Sequence, residues 1–139
     1  MILCDTGVLV CFVDKTQPKY AAYSRLLRSL KLKLPLVTTW ACLTEAMYLA
    51  GRGSGYLAQK QLGGLLQARI LEIYEIQVGD YDRLFGLMEQ YRDRPMDFAD
   101  ATLVLTAERM GIKQILTLDS DFLFYRINES ESFEMVAVE

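Results

Sequence analysis

The chain has 139 residues, 52% of them hydrophobic, with 15 Lys plus Arg against 18 Asp plus Glu, a net charge of −3 and no histidine. That length suffices for one domain with its own core, expected to span residues 1–139. The missing imidazole excludes Ser-His-Asp and Cys-His nucleophile activation, histidine acid–base catalysis and every histidine-ligated metal site, which leaves carboxylates, hydroxyls, thiols, lysine or an oxygen-held metal.

Ile2-Leu3-Cys4 reads as a short buried strand that delivers Asp5 at its carboxyl end. A short helix is expected from Thr6 onward, with Val8, Leu9 and Phe12 on one side, and the apolar stretch from Val8 to Val13 runs into Asp14 and Lys15. No basic segment precedes its apolar stretch, so no secretion signal is expected. From Pro18, Tyr20, Tyr23, Leu27 and Leu30 recur at helical spacing among Lys15, Lys19, Arg25, Arg28, Lys31 and Lys33. That basic cluster reads either as a solvated helix face or as a surface for phosphate or a partner.

Leu36-Val37-Thr38 is a second strand, and Thr39 the N-cap of a helix from Trp40 to about Ala50. Gly51, Gly53 and Gly55 are expected to break it before another helix from Gly55 to Ala68. Ile70 to Tyr74 is a third strand, Tyr81 to Met88 marks a helix ending near Pro95, and Phe98 to Met110 is a helix stopped by Gly111. Ile115 to Leu118 is a fourth strand ending at Asp119, and a last strand is expected near Phe133 to Val138. Strands alternating with amphipathic helices predict a three-layer α/β/α sandwich on a mostly parallel sheet of about four to five strands. Cys4, Cys11 and Cys42 fit no CxxC spacing and read as reduced core residues of a cytoplasmic protein. No apolar run approaches the roughly 18 residues a membrane span needs.

Several carboxylates lack local partners. Glu45 is the only charge on a helix that is apolar nearly all round, and its neighbours Ala41, Cys42, Tyr48 and Leu49 offer no cation. Either it points to solvent at the helix edge, or burial forces it to neutralise or acquire positive charge. Asp100 repeats the pattern beside Asp97, for which helix capping is the simpler account. Asp119 and Asp121 follow a strand, where turn aspartates are also common. If Asp5, Glu45, Asp100 and Asp119 converge, their repulsion calls for a hard divalent cation such as Mg²⁺ or Mn²⁺.

At these residues the chain resembles the PIN domain family of metal-dependent ribonucleases, and within it the short VapC-type toxins of toxin–antitoxin pairs. The carriers are Ile2-Leu3-Cys4-Asp5-Thr6, Thr38-Thr39 with Leu43-Thr44-Glu45-Ala46, Asp97-Phe98-Ala99-Asp100-Ala101, and Leu116-Thr117-Leu118-Asp119-Ser120-Asp121-Phe122. The resemblance covers essentially the whole chain. It implies that Asp5, Glu45, Asp100 and Asp119 bind one or two Mg²⁺ or Mn²⁺ ions and carry catalysis. Asp121 would be an auxiliary acid at the metal, Thr6 and Thr117 hydroxyl contacts beside it, and Asp97 a nearby acid. It further implies an RNA substrate, a homodimer and a VapB-like antitoxin. Gly7 stands where the family often has asparagine.

Other readings fit less well. Gly51-Arg52-Gly53-Ser54-Gly55 lacks the spacing and strand context of a phosphate loop. A phosphotransfer receiver would have a second acid after its first strand, and a haloacid-dehalogenase-type phosphatase an aspartate at position 7. The alternative from another class is a PIN-like fold kept as a non-catalytic RNA-binding or protein-interaction module.

Overall fold

A computed structural model describes residues 1–29 and 35–138, so Leu30, Lys31 and Lys33 of the basic segment lie outside the described residues. Five short strands form one parallel sheet in the order β3-β2-β1-β4-β7: β1 (Ile2–Cys4), β2 (Leu36–Thr38), β3 (Leu71–Ile73), β4 (Gln114–Leu116) and β7 (Glu134–Met135). β1 and β2 are buried throughout, which is why they read as apolar runs without alternation. A small antiparallel pair, β5 (Arg126–Ile127) with β6 (Glu131–Ser132), lies outside this sheet.

The helices are α1 (Thr6–Val13), α2 (Tyr20–Ser29), α3 (Trp40–Gln67), α4 (Tyr81–Gln90) and α5 (Phe98–Met110). α1 packs on α2 and α3, and α4 on α5. Strand order runs outward from β1 through β2 to β3 and then returns to β4, so right-handed crossovers put these two groups on opposite faces of the sheet. The result is the α/β sandwich expected from the alternation of elements. The direction of winding reverses between β1 and β4, and ligands in such sheets bind beyond the carboxyl ends of strands at that point.

Several boundaries follow from named residues. Thr39 caps α3, its hydroxyl accepting from the Cys42 N–H at 3.3 Å, and meets the Thr102 hydroxyl of α5 at 2.8 Å. Gly111 stops α5 in the left-handed region at φ 67°. The expected break in α3 falls at Gly55 alone (φ 75°); Gly51 and Gly53 stay helical. Gly53 is required for a different reason: a Cβ there would meet the carboxylate of Asp14. Asp14 ends α1 and is fully buried, accepting from Ser54 Oγ (2.6 Å), Thr16 Oγ1 (2.7 Å), the Thr16 N–H (3.0 Å) and Gln17 Nε2 (3.2 Å). Burial pushes its pKa upward, but these donors outweigh that and hold it at about 2.

α2 is amphipathic as expected: Tyr23 is buried, and Arg25 and Arg28 are exposed. α1 departs from its one-sided reading, since every residue except Gly7 is buried. β4 ends at Leu116 rather than Leu118, which frees Thr117 and Asp119 from the ladder. Among the described residues no helix is long and apolar enough to cross a membrane.

Candidate metal centre

Asp5 stands at the carboxyl end of central β1, where its N–H still donates to the Leu116 carbonyl of β4 (3.0 Å). Extended backbone there lets its carboxylate cap α1, with Oδ1 accepting from the Thr6 N–H at 2.7 Å. Oδ2 accepts from Thr117 Oγ1 at 2.7 Å. Burial raises the Asp5 pKa; the Thr117 and Thr6 donors oppose that rise, and Asp119 and Asp97 add to it. Thr6, expected as a hydroxyl contact at the metal, lines the cleft, and its Oγ1 donates to the Cys42 carbonyl at 3.4 Å. Its backbone N–H is what serves Asp5.

Asp97 and Asp100 form a capping box at the start of α5. The Asp100 N–H donates to Asp97 Oδ1 at 2.7 Å, and the Asp97 N–H donates to Asp100 Oδ2 at 3.4 Å. Asp97 thus caps the helix, while Asp100 is buried and turned to the centre. Burial, then the charges of Asp97, Asp5 and Asp119, raise its pKa to about 7. Tyr125, fully buried, donates its hydroxyl to Asp100 Oδ2 at 3.3 Å. Nothing in the sequence pattern marked Tyr125; its only local signal is an aromatic three residues after Phe122 in a turn.

Asp119 follows β4 and is partly buried. Thr117 joins it to Asp5, since the Thr117 hydroxyl accepts the Asp119 N–H at 2.9 Å while donating to Asp5. Asp119 Oδ1 in turn caps the next turn by accepting the Asp121 N–H at 2.9 Å. Asp121, expected at the metal, lies outside the cluster: its Oδ1 pairs with Arg94 Nη1 at 3.4 Å.

Three of the four acids therefore meet. One carboxylate oxygen from each of Asp5, Asp100 and Asp119 lies within 4.8 Å of the others. None of the ion pairs made by the described residues involves any of the three. Glu45 is exposed, so its helix is not buried on all sides: Trp40, Tyr48 and Leu49 are exposed as well. Glu45 nevertheless lines the same cleft of about 290 Å³, together with Gly7, Asp97 and Leu118. Crowded carboxylates, all-oxygen donors and two raised pKa values fit a hard divalent cation, which supplies the missing positive charge. A larger groove of about 500 Å³ lies elsewhere, lined by Trp40, Tyr74, Phe85 and Phe98. Glu75, the acid in that lining, is already bonded to Trp40 Nε1 at 3.1 Å, so the groove has no comparable donor set.

The sequence profile of the PIN domain matches residues 2–129. The chain is 26% identical over 118 residues to ribonuclease VapC26 of Mycobacterium tuberculosis, which covers 85% of this chain and 86% of that one. Its fold superposes on the crystal structure of M. tuberculosis VapC20, a toxin that cleaves the sarcin–ricin loop, with a TM-score of 0.75 and 19% identity over 87% of this chain and 92% of that one.

Proposed function

The chain belongs to the PIN domain family, and from that premise we propose that it is a Mg²⁺- or Mn²⁺-dependent endoribonuclease, the toxin of a type II toxin–antitoxin pair. The observation that carries this is the convergence of Asp5, Asp100 and Asp119, none of which forms an ion pair among the described residues. The ribonuclease name of VapC26 supports RNA as the substrate. In this reading Asp5, Asp100 and Asp119 hold one or two ions, and Glu45 completes the set from the rim of the cleft. When bound, such an ion activates water and neutralises charge that develops on the phosphodiester oxygens.

The chain's own groups do the positioning. Thr117 fixes the spacing of Asp5 and Asp119 by bonding both. Tyr125 holds Asp100 from the core side, and Asp97 anchors the first turn of α5 so that Asp100 points inward. No imidazole is needed, because a divalent ion held by these carboxylates would supply the activated water. A homodimer, a VapB-like antitoxin and a cytoplasmic setting belong to the same reading.

The test is cleavage of RNA by the purified chain in Mg²⁺ or Mn²⁺, with Asp5→Asn and Asp100→Asn as controls. Cleavage should need the metal and fall by at least about 100-fold in either variant. Cleavage that persists in EDTA, or in both variants, overturns the reading; RNA binding without cleavage points to the non-catalytic module.

A further inference from the structure

The turn after Asp119 sorts its aromatic side chains. Phe122 and Tyr125 are buried and meet edge to face at 5.1 Å, with Phe133 and Tyr91 packed around them. Phe124, between them, is turned outward and 51% exposed. Arg94, from the turn after α4, lies over this ring with Cζ 3.6 Å from the centroid. Its Nη1 is held by Asp121 Oδ1 at 3.4 Å, and Asp121 is in turn bonded through its N–H to Asp119 of the metal centre. Two hydrogen-bonded contacts therefore link the guanidinium to a carboxylate of the cluster.

This arrangement does little for the core, since an exposed cation–π contact contributes weakly to folding. Its chemistry matches unpaired RNA. Splayed bases stack on aromatic rings and on guanidinium planes, and a fixed guanidinium also meets phosphate. In a chain of net charge −3, Arg94 places a cation two hydrogen-bonded contacts from Asp119, which lines an acidic cleft that must receive a polyanion.

We propose that Phe124 and Arg94 form a stacking platform for one unpaired base of the RNA next to the scissile phosphate, with Asp121 as the positioning residue that orients Arg94. The proposal rests on the ribonuclease reading above and assigns it a specificity determinant. It also gives Asp121 a role other than metal ligation.

The experiment measures cleavage and binding of an unstructured, fluorescein-labelled oligoribonucleotide by the wild type and by Phe124→Ala, Phe124→Trp, Arg94→Ala and Leu123→Ala. Binding is read by anisotropy in EDTA. Phe124→Ala and Arg94→Ala should raise KM, and weaken binding, by about 5- to 100-fold with kcat within about threefold. Phe124→Trp should restore both, and Leu123→Ala, an exposed neighbour outside the stack, should match the wild type. Weak binding by Phe124→Ala that Phe124→Trp does not restore, or an unchanged KM in both alanine variants, overturns the platform. If the wild type cleaves nothing yet Phe124→Ala loses RNA binding, the nuclease reading fails and the platform stands. Failure of the wild type to bind RNA at all refutes the platform.

Discussion

Replacing Asp100 with Asn is expected to stabilise the metal-free protein at neutral pH while removing its chemistry. Asp100 is buried within 4.8 Å of carboxylate oxygens from Asp5 and Asp119. One such pair repels by about 3.5 kcal/mol at an effective dielectric of 20. An unfolded aspartate titrates near 4, whereas burial and the charges of Asp97, Asp5 and Asp119 lift folded Asp100 to about 7. Between those values the folded state keeps a proton that the unfolded state has released, so stability falls as pH rises through the window. Asparagine keeps the shape and carries no charge. Its advantage should therefore be about 4 kcal/mol at pH 8 and vanish below roughly pH 4. Urea denaturation in EDTA at both pH values measures this. Added Mn²⁺ should then raise the midpoint of the wild type more than that of the variant. An Asp100→Asn midpoint below the wild type in EDTA at pH 8 would refute the electrostatic reasoning.

Further outcomes are expected away from that carboxylate. Gly53→Ala puts a Cβ 2.6 Å from Asp14 Cγ and should cost about 3 kcal/mol by expelling a buried, fully bonded carboxylate. Gly64→Ala, on the same helix with nothing within 4 Å, should gain about 0.5–1 kcal/mol in the same denaturation assay. Thr117→Val should lower metal-dependent cleavage about 10- to 100-fold, because Asp5 and Asp119 lose their shared hydroxyl, while the denaturation midpoint moves far less. Arg83 grips Glu108 with two bonds of 2.8 Å and Glu129 with a third of 2.7 Å, so Arg83→Lys should cost about 1–2 kcal/mol by thermal melting.

Much of this was legible in the sequence where one residue decides one feature. α5 begins and ends as expected because Asp97 caps it and Gly111 stops it. Asp5 and Asp119 were recognisable because parallel strands deliver their carboxyl ends to one edge. Glu45 reaches the cleft from an exposed position, because the apolar Trp40, Tyr48 and Leu49 form surface around it rather than core, which an apolar run on a helix does not reveal. Gly53 misled because the reason for a glycine there is Asp14, distant in sequence, so the helix continues through it. The β5–β6 hairpin escaped notice since it has two residues per strand and turns through Asn128 and Glu129, both at positive φ. Tyr125 and Arg94 act through contacts whose sequence separation leaves no periodic trace.

α1 is held at both ends by an aspartate. Asp5 grips its first turn from the metal centre, and Asp14 fixes its last turn to the Gly53–Ser54 segment of α3. Eight helical residues span roughly 12 Å, and this rod is sheathed in core on nearly every side. It behaves as a tie rod: it cannot shorten, and neither end slides without breaking hydrogen bonds. Gly53 therefore sits against one end of a rod whose other end is Asp5.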